Sequence, residues 1–84
     1  MIVLPKVVNH QNAMLIRDQG LDQIAQKSDS VDATALVEFD SSMLAILLAW
    51  FRVKPDLKIL HSPQKLQVLS QVYGLDELFI LNKA

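Results

Sequence analysis

An α/β fold, with a small, mostly parallel sheet and helices packed on it, is predicted by three features of the chain. Short runs of Val, Ile and Leu alternate with segments of helical period along the 84 residues. Alternation of this kind favours parallel strands joined by helical crossovers. Ser62-Pro63 and Gly74 bracket one segment with a helix start and a helix stop. Hydrophobic residues make up 51% of the chain, enough for one core; two cores in this length would each be too small to fold unaided. A single domain over residues 1–84 is expected.

Taken in order, Ile2-Val3-Leu4 reads as a short strand ended by Pro5. From about Asn9 to Gln26 the pattern is helical, with Met14, Leu21, Ile24 and Ala25 sharing a face. Gly20 lies inside this stretch, where it costs roughly 1 kcal/mol relative to Ala, so a bend or break is expected there. Lys27-Ser28-Asp29-Ser30 is a polar turn, and Val31 to Ala33 a second strand. Asp40-Ser41-Ser42 has the residue types that cap helices and opens an apolar helix reaching about Val53. Pro55 ends it, and Leu57 to Leu60 forms the next strand. The Ser62 hydroxyl is expected to cap a third helix, with Pro63 in its first turn. That helix turns Leu66, Leu69 and Val72 or Tyr73 inward and stops at Gly74, a C′ position. Phe79-Ile80-Leu81 reads as a last short strand.

Composition removes several functions. Eight basic against nine acidic residues leave a net charge of −1, with no basic field for nucleic acid and no polybasic run for an anionic membrane. The absence of cysteine excludes disulfides, thiol catalysis and zinc-finger spacings. The longest nearly apolar run, Met43 to Val53, is too short for a bilayer, which needs about 20 residues. The first residues lack a charged segment followed by an apolar one, so a cytoplasmic protein is expected.

Catalysis is equally poorly provided for. Only His10 and His61 are present, without an HExxH pattern or carboxylates at metal-ligand spacing. A triad built on Ser41 and His61 lacks the G-x-S-x-G elbow. Two glycines in the whole chain leave no phosphate-cradling loop. A non-catalytic protein without metal or cofactor is expected.

The informative segment is Asp40 to Val53. On a helix, Leu44, Leu47, Leu48 and Phe51 form one stripe, and Met43, Ile46, Trp50 and Val53 a second. A surface helix of a globular domain needs one apolar face. The second stripe has two destinations, the interior of the fold or the surface of a partner. An 84-residue chain offers little interior, so Met43 and Ile46, near the helix start, are expected at a partner's surface. Asp40-Ser41-Ser42 serves equally as an ordinary cap and as a place where a phosphate on the hydroxyl meets free N–H groups and the helix dipole.

The run Val31-Asp32-Ala33-Thr34-Ala35-Leu36-Val37-Glu38-Phe39-Asp40-Ser41-Ser42-Met43-Leu44 resembles the central signature of STAS domains. In that signature a V-D-L-S strand leads through a short loop into D-S-[ST]-small-L at a helix start. Leu44-Ala45-Ile46-Leu47-Leu48-Ala49-Trp50 and Val72-Tyr73-Gly74-Leu75-Asp76-Glu77-Leu78 are similar to the MlaB branch. Those proteins are cytoplasmic subunits of the bacterial ABC phospholipid transport system that maintains outer-membrane lipid asymmetry. The resemblance covers about residues 30 to 80. It departs from the family in having only Ile2 to Leu4 where a strand hairpin precedes the first helix, so the first strand is missing, and in having Met43 where many relatives have a small residue.

The resemblance implies a STAS-like mixed sheet and a non-catalytic accessory subunit. That subunit docks on the transporter's ATPase and supports its assembly or activity, peripheral to the inner membrane through its partner and without inserting. The critical hydroxyl falls on Ser41 and the acidic residue before it on Asp40, so Asp40, Ser41, Ser42, Met43 and Ile46 form the expected contact surface. The alternative within the same family is an anti-sigma factor antagonist regulated by phosphorylation at Ser41.

Overall fold

The computed structural model describes residues 1–75 and the backbone of residues 81–83. Along the chain run β1 (Ile2–Val3), β2 (Val7–Val8), α1 (Ala13–Ala25), β3 (Ser30–Asp32), β4 (Glu38–Phe39), α2 (Ser42–Val53), β5 (Lys58–Ser62), α3 (Gln64–Val72) and β6 (Leu81–Lys83). The α/β architecture is the one the alternation of segments predicts. Phe79 and Ile80 of the anticipated last strand lie outside the described residues; Leu81 is in β6.

The main sheet has the order β1-β3-β5-β6, and a second pair joins β2 to β4. Every pairing among the described strands is parallel, in keeping with the mostly parallel sheet that is expected. One row of the sheet runs Ile2, Val31, Ile59 and Leu81 in register. The first three are buried, while the next row carries exposed Val3 with half-buried Asp32 and Leu60. With a side-chain period of two, this sheet buries one face and leaves the other open. β2 and β4 were not anticipated, because two-residue strands carry no readable alternation. They form where Val37 and Glu38 both donate their N–H groups to the Lys6 carbonyl.

α1 starts later than its helical period suggests because side chains hold residues 9–12 in a turn. The Asn9 N–H donates to Asn12 Oδ1 at 2.9 Å, and Asn12 Nδ2 reaches the Val7 carbonyl at 2.8 Å. The helix then runs unbroken through Gly20, with Gly20 and Ile24 buried and Ala13, Ile16 and Leu21 packed on the core. Met14 and Ala25, expected inward, are exposed. Their position is corrected by the α1–α2 contact: Gly20, which offers no hydrophobic signal, is the residue that faces α2.

That contact is close. A Cβ built on Gly20 would lie on the indole of Trp50, far inside van der Waals distance. Trp50 is fully buried, and its Nε1–H donates to the Arg17 carbonyl at 3.0 Å. The glycine's cost to the helix is thus offset by the burial of a tryptophan, the largest apolar side chain in the core.

α1 ends in a Schellman arrangement, in which the Ser28 N–H reaches the Gln23 carbonyl and the Lys27 N–H that of Ile24. Lys27 occupies the left-handed position, at φ 74°, where a Cβ costs about 1–2 kcal/mol. Lys27→Gly should therefore stabilise the domain, by about 0.5–1 kcal/mol after the added freedom of the unfolded chain is counted. Chemical denaturation of the two proteins measures it; a loss of stability would contradict this reading of the turn.

α3 ends in the same way on Gly74, at φ 70°, as its sequence predicts. Its start differs from expectation. The N-cap position is Pro63, with no side-chain cap bond, and Ser62 is buried at the end of β5, where Gln67 Nε2 approaches its hydroxyl at 3.4 Å. Leu66 and Ser70 face inward, with Leu69 half-buried, whereas Val72 and Tyr73 are exposed. The Ser70 hydroxyl enters the interior by donating to the Leu66 carbonyl at 2.9 Å.

Candidate functional site

β4 delivers the chain directly to Asp40-Ser41-Ser42 at the start of α2. Asp40 supplies the cap: its Oδ1 accepts the Ser42 N–H at 2.8 Å. That bond, then the Ser42 hydroxyl, holds the Asp40 carboxyl below its ordinary value, with His10 adding a smaller pull. The Met43 N–H goes to the Asp40 carbonyl and that of Leu44 to the Ser41 carbonyl, each at 3.0 Å. Ser41 occupies the N-cap position itself, yet its side chain makes no cap bond. Its exposed hydroxyl therefore projects from the helix start while its neighbour does the capping.

The rest of the expected contact surface is redistributed. Asp40 and Ser41 are exposed and Ser42 is half-buried, so these three are within reach of a partner. Met43, fully buried, and Ile46, at 2% exposure, are core residues. Their assignment to a partner surface is corrected, because both apolar stripes of α2 are used internally. Leu44, Leu47 and Phe51 from one stripe and Met43, Ile46 and Trp50 from the other are all buried. The sheet takes one side of the helix and α1 the other, with Gly20 removing the side chain that would hold α1 away.

What α1 and α2 leave open between them is a groove of about 490 Å³. Ser42 lies at one end and Arg52 at the other, and Ala13, Ala45 and Ala49 supply small side chains along its length. Sequence reasoning missed it. The only signal was the repeat of alanine at positions 45 and 49 of α2, which reads as helix propensity until α1 is placed alongside.

A second polar group sits beyond β3 and β5. The Thr34 N–H and hydroxyl both donate to Asp32 Oδ1, and these bonds lower the Asp32 carboxyl below its ordinary value, with His61 contributing less. His61 is exposed at φ 57°, in the irregular stretch of β5 between Ile59 and Ser62. Among the described residues no three His, Asp or Glu side chains are grouped as a metal site would require. No helix among them is long and apolar enough to cross a membrane. No family model, curated protein or solved structure matches the chain.

Proposed function

We propose that this protein is a non-catalytic docking module of the STAS type, resembling MlaB, that binds the ATPase subunit of an ABC phospholipid transporter. The observation that carries the reading is the placement of Ser41. Its hydroxyl stands exposed at the first turn of α2, unused as a cap, where the resemblance puts the critical hydroxyl of the family. A residue kept for helix stability would make the capping bond; here Asp40 makes it and leaves Ser41 available to a partner. The anti-sigma factor antagonist reading draws on the same exposed hydroxyl, and the identity of the captured partner separates the two.

Ser41→Glu tests this reading. A carboxylate at a helix start is favoured by the dipole by about 0.3–1 kcal/mol, so the melting temperature should stay nearly unchanged. At a protein interface the same charge would be desolvated without a partner of opposite sign, at a cost of several kcal/mol. Tagged parent protein should copurify with the ATPase and the permease from its own cells, and the Ser41→Glu protein should lose both. Equal recovery with parent and variant would remove Ser41 from the interface and the functional proposal with it.

A further inference from the structure

We propose that the groove between α1 and α2 receives an acidic amphipathic helix from a partner protein. This deepens the docking reading, on which it relies only for the partner's identity.

Length and shape select a helix. From Ser42 to Arg52 the groove follows α2 for about 15 Å, three helical turns. Ala13, Ala45 and Ala49 let a third helix approach closely, as small residues do at helix contacts. Exposed Met14, at 66%, and half-buried Leu48 supply the apolar surface on which a ridge of side chains at i, i+4 and i+7 would lie.

Charge selects the sign. Arg17, Arg52 and His10 border the groove, and among the described residues no carboxylate lines it. Arg17 contacts Asp18 through Nε and Nη2, at 3.1 and 3.0 Å, and both bonds fall on a single carboxylate oxygen. Its remaining donors are available to a second acid. The start of α2 is offset by the Asp40 carboxylate that caps it, whereas α1 has no acidic residue in its first turn, so the start of α1 adds positive potential at this end of the groove. In a chain whose net charge is −1, this groove is a local cationic strip. A helix with an apolar ridge flanked by Glu or Asp matches it along its whole length.

Two synthetic helical peptides of four turns test the proposal, both with leucine at i, i+4 and i+7, one flanked by glutamate and the other by lysine. Titrated into isotopically labelled protein, the glutamate peptide should shift the amides of residues 13–17 and 42–52 and bind at least tenfold more tightly than the lysine peptide. The preference should shrink as salt is raised. The double variant Arg17→Gln/Arg52→Gln should lose most of the preference, and Arg17→Glu/Arg52→Glu should reverse it, with circular dichroism confirming that each is folded. Equal binding of the two peptides, shifts elsewhere on the surface, or no binding would overturn the proposal. So would a preference for phosphatidylglycerol vesicles over the peptide, or self-association that occupies the same amides. Copurification reads the other proposal separately. An ATPase that remains bound to the Arg17→Glu/Arg52→Glu protein but is lost from Ser41→Glu leaves the docking function standing and removes the groove from it.

Discussion

Gly20→Ala is expected to lower stability by about 2 kcal/mol or more, although alanine is the better helix former. Helix propensity alone favours the substitution by roughly 1 kcal/mol. Against that, the new Cβ would lie on the Trp50 indole. Overpacking a closed core costs about 1–3 kcal/mol and occasionally more, and this position belongs at the upper end. The ring is rigid, fully buried and tied to the Arg17 carbonyl, so relief requires α1 to move away from α2. Denaturant unfolding should show the loss, and tryptophan fluorescence should shift to the red as the indole is displaced toward water. Trp50→Phe in the Gly20→Ala background should restore part of the difference, because the colliding atoms are absent from phenylalanine; neighbours of this kind couple non-additively. An alanine variant as stable as the parent would mean that the helices are farther apart than described.

Met43→Lys should leave the chain unfolded, and not merely unable to bind. The side chain is fully enclosed beneath the first turn of α2. An ammonium group there either stays charged at a cost of several kcal/mol or gives up its proton. Truncation of such a methionine to alanine already costs about 2–5 kcal/mol. Against a total stability of about 5–15 kcal/mol, with a domain this small near the lower end, the charge is decisive. Circular dichroism and the dispersion of amide resonances read the outcome. A folded Met43→Lys protein that has lost only its partner would restore the surface role which the enclosed position denies. Ser41→Glu, two residues away, serves as the folded counterpart.

These two residues also show where the sequence was legible. Strands β1, β3 and β5 and helix α2 fall within a residue or two of their expected places, because β-branched runs, the Asp40 to Ser42 cap and Pro55 mark them locally. Gly74 stops α3 where it should, since the left-handed position has its own residue preference. The choice of faces was less legible. Met43 and Ile46 were expected outward on the argument that so short a chain cannot enclose a helix on two sides. The enclosure depends on Gly20, twenty-three residues before Met43, and a glycine reads as weakness in a helix until its neighbour is known. Ser62 departs from its expected role for a related reason: a serine before proline has the chemistry of a cap, but β5 runs on through it and takes it into the interior. For the candidate site, Asp40, Ser41 and Ser42 were readable from residue type, whereas the groove is a property of two helices and of neither sequence.

The order of strands in the main sheet follows their order in the chain, and this bears on how the domain is assembled. Ile2 meets Val31, Val31 meets Ile59, and Ile59 meets Leu81, so each new strand needs only the strand before it. Every closure spans about 30 residues or fewer, a modest entropic cost that grows only logarithmically with length. No strand must wait for a distant segment to be inserted beside it. The middle unit, β3-α2-β5, contains most of the buried apolar residues, from Val31 through Met43 to Ile59. It is the natural nucleus, with α1 and β1 condensing on one edge and α3 and β6 on the other. A chain emerging from the ribosome can therefore bury its largest hydrophobic helix as soon as β5 is made, before the last quarter of the sequence exists.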